Sequence, residues 1–406
     1  MRSHETSVSL LTGGGDRPYV FGLVSALLEA GMMVDLIGSD ELDFPEFRGK
    51  AEVNFFNLRG DQNPRVNLLS KILRILAYYV KLILYAARSK PRIFHILWNN
   101  KFEHFDRTLL MLYYKILGKK IAFTVHNVNA AKRDFRDSAL NRLTLRAQYY
   151  LCDSIFVHTE RMKRELMEEF GVHPSRVNVI PFGINNAVPH TALTRDDARR
   201  QLGVTATEKV ILFFGNVTPY KGVEYLVSAF QKIRDEDDYR LVIAGKHDGF
   251  QSYLDSILKS VSSEVQRGRV VLRGEFIRDE DTEIYFKAAD VLVLPYRHVY
   301  QSGVLFLAHS FGLPVIAANV GSLADDIVEG KTGLVFAPED VDDLSRAIQR
   351  YFASDLYLHL SECRYDIRQY SLERHSWSIV ADTTEKTYRT LTRTATERLE
   401  SAAPEN

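Results

Sequence analysis

The sequence predicts an α/β protein of two lobes, each built on an open, mostly parallel sheet. Short β-rich runs alternate with helical periods from one end of the chain to the other, which is typical of parallel sheets with crossover helices. The chain has 406 residues, and single hydrophobic cores stop growing at roughly 250–300 residues. The polar stretch over residues 185–209 interrupts the alternation, and we interpret it as the connection between two lobes.

Each lobe is predicted to begin with a strand, a glycine-containing loop and a helix. In the first lobe the predicted strands are Ser7–Leu11, Met33–Ile37, Ile93–Trp98, Ile121–Val125, Ser154–His158 and Val177–Ile180. In the second lobe they are Val210–Phe214, Leu241–Ala244, Val270–Leu272, Val291–Leu294 and Val315–Val320. Ligands bind such sheets at the carboxyl ends of the strands, so the loops that follow the strands are where a site is expected.

Composition narrows the class of protein. The 52 basic residues balance 52 acidic ones, so the strongly basic surface of a nucleic-acid-binding protein is not expected. The two cysteines, Cys152 and Cys363, do not suggest a disulfide framework. The most apolar stretch, Leu68–Ala87, contains three basic residues, so it is not expected to span a membrane. Neither the histidines nor the acidic runs have the spacing of a metal site. We therefore expect a cytoplasmic protein without a metal or other cofactor.

A first candidate site follows the first strand of the second lobe. The run from Gly215 to Gly222 leaves that strand at a glycine and places Lys221 just before a predicted helix. Free N–H groups and the dipole of a helix attract anions to its N-terminus, and the lysine adds a full positive charge. This combination suits a diphosphate. The alternative is a solvated lysine near a turn.

A second candidate site follows the strand Val291–Leu294. A loop leads to Ser302 and Gly303 at the start of a helix, where the absence of a Cβ on glycine lets a phosphate approach the backbone amides. The alternative is an ordinary helix N-cap formed by Ser302.

With these motifs in place, the chain resembles the retaining GT-B glycosyltransferases of sequence family 4 over nearly its whole length. The matching motifs are Gly14-Gly15 after the first strand, Thr124-Val125-His126-Asn127, Gly215 through Gly222, Gly312-Leu313-Pro314-Val315 and Ser376-Trp377 with Thr384 to Tyr388. Each motif alone is weak, and their order and spacing together are specific.

The resemblance implies the GT-B fold, with two Rossmann-like lobes facing a central cleft and a C-terminal helix that crosses back to the first lobe. It places an acceptor-side domain at 1–188, a nucleotide-sugar-binding domain at 189–365 and the returning helix at 366–395. Residues 396–406 are expected to be a frayed tail.

The implied activity is transfer of a sugar from a UDP- or GDP-linked donor to an acceptor, with retention of the anomeric configuration and without a metal ion. The expected acceptor is a saccharide, or a lipid-linked saccharide in polysaccharide or glycoconjugate synthesis. Lys221 would stabilise the leaving diphosphate and His126 would contact the donor sugar; the alternative for His126 is a satisfied histidine at a strand end. The expected donor-binding residues are Gly14, Gly15, Gly215, Asn216, Lys221, Gly245, Gln301, Ser302, Gly303 and Val304.

Two departures from the family pattern leave the activity open. Asn216 stands where the family usually has an arginine, and Val299 and Leu307 stand where it has two glutamates, the second of which holds the donor ribose. A subgroup with rebuilt donor contacts, an altered donor, and an inactive homologue that serves as a scaffold all fit these departures. A GT-B-fold sugar-nucleotide epimerase is a further alternative, for which no acid/base set can be assembled.

A basic segment predicts a membrane contact. The stretch Arg65–Arg92 has seven Lys or Arg and no Asp or Glu. On a helix, Lys71, Arg74, Tyr78, Lys81, Tyr85 and Arg88 form one stripe beside a broad face of leucine, isoleucine and valine. One interpretation places Lys71, Arg74, Lys81 and Arg88 against an anionic membrane on the inner face of the cell membrane. The other packs the apolar face onto the sheet and leaves the stripe in water.

Overall fold

The computed structural model describes residues 6–63, 66–133, 136–233, 238–247 and 249–392. These residues form two compact units. Unit 1 comprises the chain up to Gly183 and again from Trp377, and unit 2 is Ile184–Ser376. The tail 396–406 and Arg65, the first residue of the basic segment, lie outside the described residues.

Unit 1 is built on a parallel sheet of seven strands in the order β3-β2-β1-β4-β5-β6-β7. The strands are β1 Ser7–Leu11, β2 Met33–Gly38, β3 Val53–Asn57, β4 Ile93–Ile96, β5 Lys120–Val125, β6 Ser154–Val157 and β7 Val177–Val179. The helices are α1 Arg17–Glu29, α2 Leu68–Arg88, α3 Glu103–Phe105, α4 Met111–Ile116, α5 Ala130–Arg133, α6 Ala139–Leu151 and α7 Glu160–Phe170. Short 3-10 turns at Asp40–Leu42, Pro45–Phe47 and Pro174–Arg176 and a π-helical turn at Asp106–Leu110 complete this part.

Unit 2 repeats the plan with a parallel sheet of six strands in the order β10-β9-β8-β11-β12-β13. The strands are β8 Lys209–Phe214, β9 Tyr239–Ala244, β10 Val270–Arg273, β11 Val291–Leu294, β12 Val315–Ala318 and β13 Gly333–Phe336. The helices are α8 Arg195–Leu202, α9 Val223–Gln231, α10 Gln251–Ser260, α11 Ser262–Gln266, α12 Asp279–Ala288, α13 Gly303–Ser310, α14 Val341–Phe352, α15 Asp355–Leu358 and α16 Leu360–His375, with a 3-10 turn at Pro219–Lys221. Helix α8 lies within the polar stretch 185–209, which belongs to unit 2.

The last described helix, α17 (Trp377–Thr392), belongs to unit 1. Its Trp377, Val380, Ala381 and Tyr388 are buried in the same core cluster as residues of α1. A Cβ at Gly22 of α1 would stand 2.0 Å from the Trp377 ring, so glycine at this position lets the two helices meet. Residues 366–375, which the sequence analysis placed in the returning helix, form the end of α16 in unit 2.

Helix α2 packs on the sheet with a face other than either interpretation expected. The buried face carries Tyr78, Tyr79, Leu82, Tyr85 and Ala86, so the two tyrosines predicted to edge a solvated stripe are in the core. The leucine face, predicted in the alternative to pack on the sheet, is exposed: Leu68 is 73% and Leu69 is 66% accessible. That packing alternative is wrong.

Hydrogen bonds explain why the tyrosines can be buried. Tyr85 donates to Asp35 Oδ2 at 2.6 Å and lies 2.7 Å from Ser9 Oγ. Tyr79 donates to Asp106 Oδ1 at 3.0 Å. A buried hydroxyl is costly only when it lacks a partner, and each ring buries more apolar area than a leucine.

Candidate functional site

The site expected in unit 2 lies where the strand order of the sheet reverses. Strands β8 and β11 are neighbours and parallel, and the chain runs outward from them in opposite directions, to β9 and to β12. The loops that leave the carboxyl ends of β8 and β11 therefore diverge, and such a reversal is where open α/β sheets bind ligands. The two predicted motifs, at Gly215 and at Ser302, are those two loops.

Glycines let the loop backbones approach closely. Gly215 and Gly245, which follow β8 and β9, have φ of +109° and +146°, where side chains are disfavoured. A Cβ at Gly245 would stand 2.1 Å from the Gly215 carbonyl oxygen, and one at Gly222 would stand 2.1 Å from the Pro295 carbonyl oxygen. Val217 N donates to Lys246 O at 2.7 Å. These contacts hold the loops after β8, β9 and β11 together.

The side chain of Lys221 is folded back against this loop and does not extend into solvent. The residue is buried, with 8% of its surface accessible. Its Nζ lies 5.4 Å from the ring centroid of Tyr296, and a Cβ built on Gly215 would stand 2.8 Å from that nitrogen. The solvated-lysine alternative is therefore wrong for this structure.

Helix α13 begins beside the same point. A Cβ on Gly215 would lie 3.6 Å from Val304 Cγ2, in the first turn of α13, where backbone N–H groups have no intrahelical acceptor. Ser302 is buried but makes no capping bond with its side chain; its Oγ lies 3.5 Å from the Tyr296 hydroxyl. The N-cap alternative for Ser302 is thus not observed, and Gly303 is exposed at the helix start.

Gln301 joins a buried polar group that the sequence did not reveal. Its Nε2 donates to Asp326 Oδ2 at 3.3 Å, and His375 Nε2 lies 3.8 Å from Asp326 Oδ1. Burial raises the pKa of the Asp326 carboxyl to about 7. Within the described residues, Gln301 Oε1 is buried and has no hydrogen-bond partner, so an acceptor is left for a ligand.

Two residues that depart from the family pattern, Asn216 and Leu307, have different surroundings. Asn216 is exposed, whereas Leu307 is 6% accessible on the packed side of α13. Lys246 lies at the same edge, over the Phe276 ring at 5.8 Å, and it supplies a second cation after β9. Sequence reasoning missed Lys246, although its place directly after Gly245, at a strand end, repeats the pattern of Gly215.

In unit 1 the Gly14-Gly15 loop also lies where the strand order reverses, between β1 and β4. A Cβ at Gly15 would stand 1.9 Å from the Trp98 ring, and one at Gly14 would stand 2.3 Å from Arg59 Nη1. Gly14 has φ +82°. The glycines thus bring the loop against Trp98 and Arg59. The structure groups Gly14 and Gly15 with unit 1, and the other expected donor-binding residues with unit 2.

His126 lies at the end of β5 in a cluster of rings. Its imidazole stacks on the Trp98 indole with centroids 4.2 Å apart, and its Nδ1 lies 3.0 Å from His158 Nε2. Burial, followed by the neighbouring His158 and His95, holds the pKa of His126 well below its usual value, so the ring is neutral at neutral pH. Its Nε2 is buried without a hydrogen-bond partner in the described part of the chain. A fully satisfied strand-end histidine is therefore not what the structure shows.

The four cations expected at a membrane separate into two pairs. Lys71 and Arg74 are half-buried and line a cavity, whereas Lys81 and Arg88 are exposed. Among the described helices, none is both long and apolar enough to span a bilayer.

Metal ligands are a separate point. In the described residues, no three His, Cys, Asp or Glu side chains are grouped so that they could hold a metal ion.

Comparisons with known proteins agree with this architecture. The family model Glycosyltransferase Family 4 matches residues 13–188, and the model Glycosyl transferases group 1 matches residues 208–354. An uncharacterized glycosyltransferase of Methanocaldococcus jannaschii is 26% identical over 93% of this chain and 94% of its own length. A D-inositol 3-phosphate glycosyltransferase of Corynebacterium aurimucosum is 26% identical over 65% of this chain and 63% of its own length.

Solved structures show the same fold. Sucrose-phosphate synthase from Thermosynechococcus elongatus superposes with a TM-score of 0.74 at 22% identity, over 95% of this chain and 99% of that one. Anabaena HepE, solved in complex with UDP and glucose, gives a TM-score of 0.74 at 16% identity, over 95% and 100% of the two chains. The two family models together span the larger part of the chain, one on each unit. The chain therefore belongs to the group 1 glycosyltransferases and has their GT-B fold.

Proposed function

We propose that this glycosyltransferase takes its sugar from a UDP- or GDP-linked donor, whose diphosphate binds in unit 2. The observation that carries the proposal is the buried Lys221 ammonium beside Gly215, next to the first turn of α13. A fixed cation and free helix amides at one point match the charge of a diphosphate. HepE, which has the same fold, is solved with UDP-glucose, and this supports the choice of donor class.

The chemistry follows from where charge develops. As the bond between the anomeric carbon and the phosphate oxygen breaks, positive charge grows on the sugar and negative charge on the leaving diphosphate. Lys221 and the amides of Ser302, Gly303 and Val304 stabilise that negative charge, and such preorganised stabilisation is the largest single contribution in many enzymes. The acceptor hydroxyl attacks the face that the diphosphate leaves, its proton passes to the departing phosphate oxygen, and the configuration is retained.

His126 contributes as a neutral hydrogen-bonding group. Burial lowers the pKa of His126 well below its usual value, which favours the neutral ring. The Nε2, which has no hydrogen-bond partner among the described residues, is suited to a hydroxyl of the transferred sugar, and the stack on Trp98 fixes the ring orientation. We assign it a positioning role for the sugar.

The departures from the family pattern are best explained by rebuilt donor contacts. Leu307 packs into the core of unit 2, so it does not hold the ribose. Lys246, at the end of β9, supplies a second cation in place of the arginine that Asn216 replaces. Gln301 has a buried side-chain oxygen that no described residue bonds, and it takes part in donor binding. No metal ion is assigned to the reaction, because two lysines and helix amides supply the positive charge.

The acceptor is assigned to unit 1 and to a membrane surface. Helix α2 exposes a row of large aliphatic side chains: Leu68, Leu69, Ile72, Leu73, Leu76, Val80 and Leu84. Its segment carries basic residues and no acidic ones. An apolar face flanked by Lys81 and Arg88 is complementary to anionic lipid, into which such helices lie. This supports a peripheral location on the inner face of the cell membrane and a lipid-linked saccharide as acceptor.

A binding screen tests the donor assignment. Saturation-transfer NMR and thermal shift of the full chain against UDP- and GDP-sugars should identify one nucleotide whose binding is lost in Lys221→Ala and kept in Lys232→Ala. Lys232 is an exposed lysine of unit 2 that pairs with Asp342. If no nucleotide sugar binds or is hydrolysed, the donor assignment fails and the scaffold alternative, which Asn216 and Leu307 favour, replaces it.

A further inference from the structure

A cavity of about 290 Å³ lies in unit 1 between α2 and the segment that follows β4. It is lined by Arg59, Gln62, Lys71, Arg74, Ile75, Tyr78, Tyr79, Asn100 and Lys101. Its volume is at the lower end of ligand pockets, which hold roughly 300–1,000 Å³. The cavity therefore fits a small group and not an entire oligosaccharide.

Four cations line this cavity without a carboxylate to neutralise them. Within the described residues, Arg59, Lys71, Arg74 and Lys101 have no ion-pair partner; Arg74 donates to the main-chain oxygen of Asp61. The Asp61 side chain accepts from the Asn63 amide. Bringing several cations together is unfavourable unless an anion joins them.

Arg59 gives the most direct sign of a missing ligand. Its Nη1 is buried and, among the described residues, has no hydrogen-bond acceptor. The guanidinium lies over the Tyr78 ring at 5.4 Å and against Gly14, where any Cβ would collide with it. A buried guanidinium nitrogen without an acceptor is costly, and a bound anion removes that cost.

The part of the cavity wall formed by Tyr78, Tyr79 and Asn100 is held by hydrogen bonds. Tyr78 donates to Asn100 Oδ1 at 2.7 Å, and Asn100 N donates to Asp106 Oδ2 at 2.7 Å. Asp106 also accepts from Tyr79, and burial raises its pKa to about 6. This carboxyl is thus engaged by Tyr79 and Asn100 and is not among the residues that line the cavity, so the four cations remain for an anion.

We propose that the cavity of Arg59, Lys71, Arg74 and Lys101 binds a phosphate or diphosphate group of the acceptor. Arginine binds phosphate with a planar fork of donors, and lysine adds point charge. The assignment of this phosphate to the acceptor rests on the proposed function. Anion binding in this cavity does not depend on which donor the protein uses. The phosphate comes either from a soluble phosphorylated sugar or from a lipid headgroup at the exposed face of α2.

The first experiment titrates the full chain with inorganic phosphate and follows it by calorimetry at low ionic strength. The double variant Arg59→Gln/Arg74→Gln should bind phosphate at least about tenfold more weakly, since two charge-assisted bonds are lost. Lys90→Gln/Arg92→Gln removes the same charge from exposed positions of the same unit and should bind as wild type does. Arg59→Lys keeps the charge without the fork and should be intermediate. Thermal melts establish that each variant is folded.

Vesicles separate the two sources of phosphate. If the cavity takes a lipid headgroup, Arg59→Gln/Arg74→Gln loses co-sedimentation with phosphatidylglycerol vesicles as well as phosphate binding. If it takes a soluble phosphorylated sugar, vesicle binding is unchanged while phosphate binding is lost. Equal phosphate affinity of wild type and the double variant, or no binding to either, overturns the proposal. UDP-sugar binding is measured on the same samples. If no UDP-sugar binds, only the donor assignment is contradicted. If a UDP-sugar binds but wild type and the double variant have the same phosphate affinity, only the anion site in the cavity is contradicted.

Discussion

The His126 imidazole stacks on the Trp98 indole with 4.2 Å between centroids and 8° between planes. The Tyr19 ring is nearly perpendicular to both, with its centroid 4.8 Å from that of His126 and 5.6 Å from that of Trp98. The chain has two tryptophans, and Trp98 and Trp377 both lie in unit 1. Tryptophan fluorescence therefore follows the unfolding of unit 1 alone.

The free energy of unfolding of unit 1 should fall as the pH is lowered from about 6.5 toward about 4. Burial lowers the pKa of His95 to about 3 and that of His158 to about 4, and that of His126 is also depressed. Below pH 6.5 the unfolded chain binds protons that the folded unit excludes, so stability is lost with acid, by roughly 1.4 kcal/mol per pH unit for each histidine. Asp106 has the opposite effect, because its raised pKa means that the folded unit binds this proton more readily than the unfolded chain does. It is one group against three histidines, so the net stability still falls in acid.

Urea unfolding followed by tryptophan fluorescence at pH 7.5, 6 and 5 measures this dependence. His95→Gln should flatten it, whereas His173→Gln, at an exposed position of unit 1, should leave it unchanged. A free energy of unfolding that stays level or rises between pH 7.5 and 5 would show that these histidines are not buried as neutral rings.

The packing of Leu307 predicts that restoring the family's glutamate does harm. Leu307→Glu places an unpaired carboxylate on the packed side of α13 and should destabilise unit 2 by about 3 kcal/mol or more. The same variant should bind the donor no more tightly than wild type. Leu307→Met is the matched control and should cost less than about 1.5 kcal/mol. Chemical denaturation and donor titration check both parts, and tighter donor binding in Leu307→Glu would show an intact ribose pocket that merely lacks its acid.

Sugar transfer should survive removal of divalent cations. The positive charge at the diphosphate is assigned to Lys221, Lys246 and helix amides, so EDTA at millimolar concentration should change the initial rate by less than about twofold. The assay compares EDTA-treated enzyme with and without added Mg²⁺ or Mn²⁺. Complete loss of rate with EDTA, restored by either ion, contradicts the metal-independent mechanism.

The exposed face of α2 should bind anionic vesicles. Leu69→Gln/Leu73→Gln removes two side chains that are 66% and 57% accessible and should reduce partitioning onto phosphatidylglycerol vesicles. Lys81→Gln/Arg88→Gln should also reduce it, roughly tenfold or more, at about 1 kcal/mol per basic residue. Leu358→Gln, at a 67% accessible leucine of unit 2, is the control. If all four proteins partition equally, α2 does not bind lipid.

The order of elements could be predicted from the sequence because strand, glycine loop and helix recur with clear periods. Two strands were missed. β3 lies at the edge of its sheet and is only partly buried, so its residues do not form an apolar run. β13 lies at the edge of the other sheet and begins at Gly333, so it offers only three apolar residues in a row.

Side-chain placement was less predictable than element order. Lys221 could be identified from the sequence because it directly precedes Gly222 at the N-terminus of α9, so neighbouring residues alone define the pattern. The burial of Tyr78 and Tyr85 in α2 could not be predicted, since hydropathy ranks leucine above tyrosine. The two hydrogen-bond partners of the Tyr85 hydroxyl, which are Ser9 and Asp35, are distant in the sequence. Arg59 was missed for the same reason, because only the fold brings it to Gly14.

The turnover number of Lys221→Ala is the most direct test of diphosphate binding at the loop that follows β8. With the nucleotide sugar that the screen identifies, kcat for transfer or for donor hydrolysis should fall at least about 100-fold, the usual cost of losing one preorganised donor at a developing anion. Lys232→Ala, which removes an exposed lysine of the same unit, should keep the wild-type kcat. A Lys221→Ala enzyme that is folded and turns over at nearly the wild-type rate would contradict the assignment of the diphosphate to this loop.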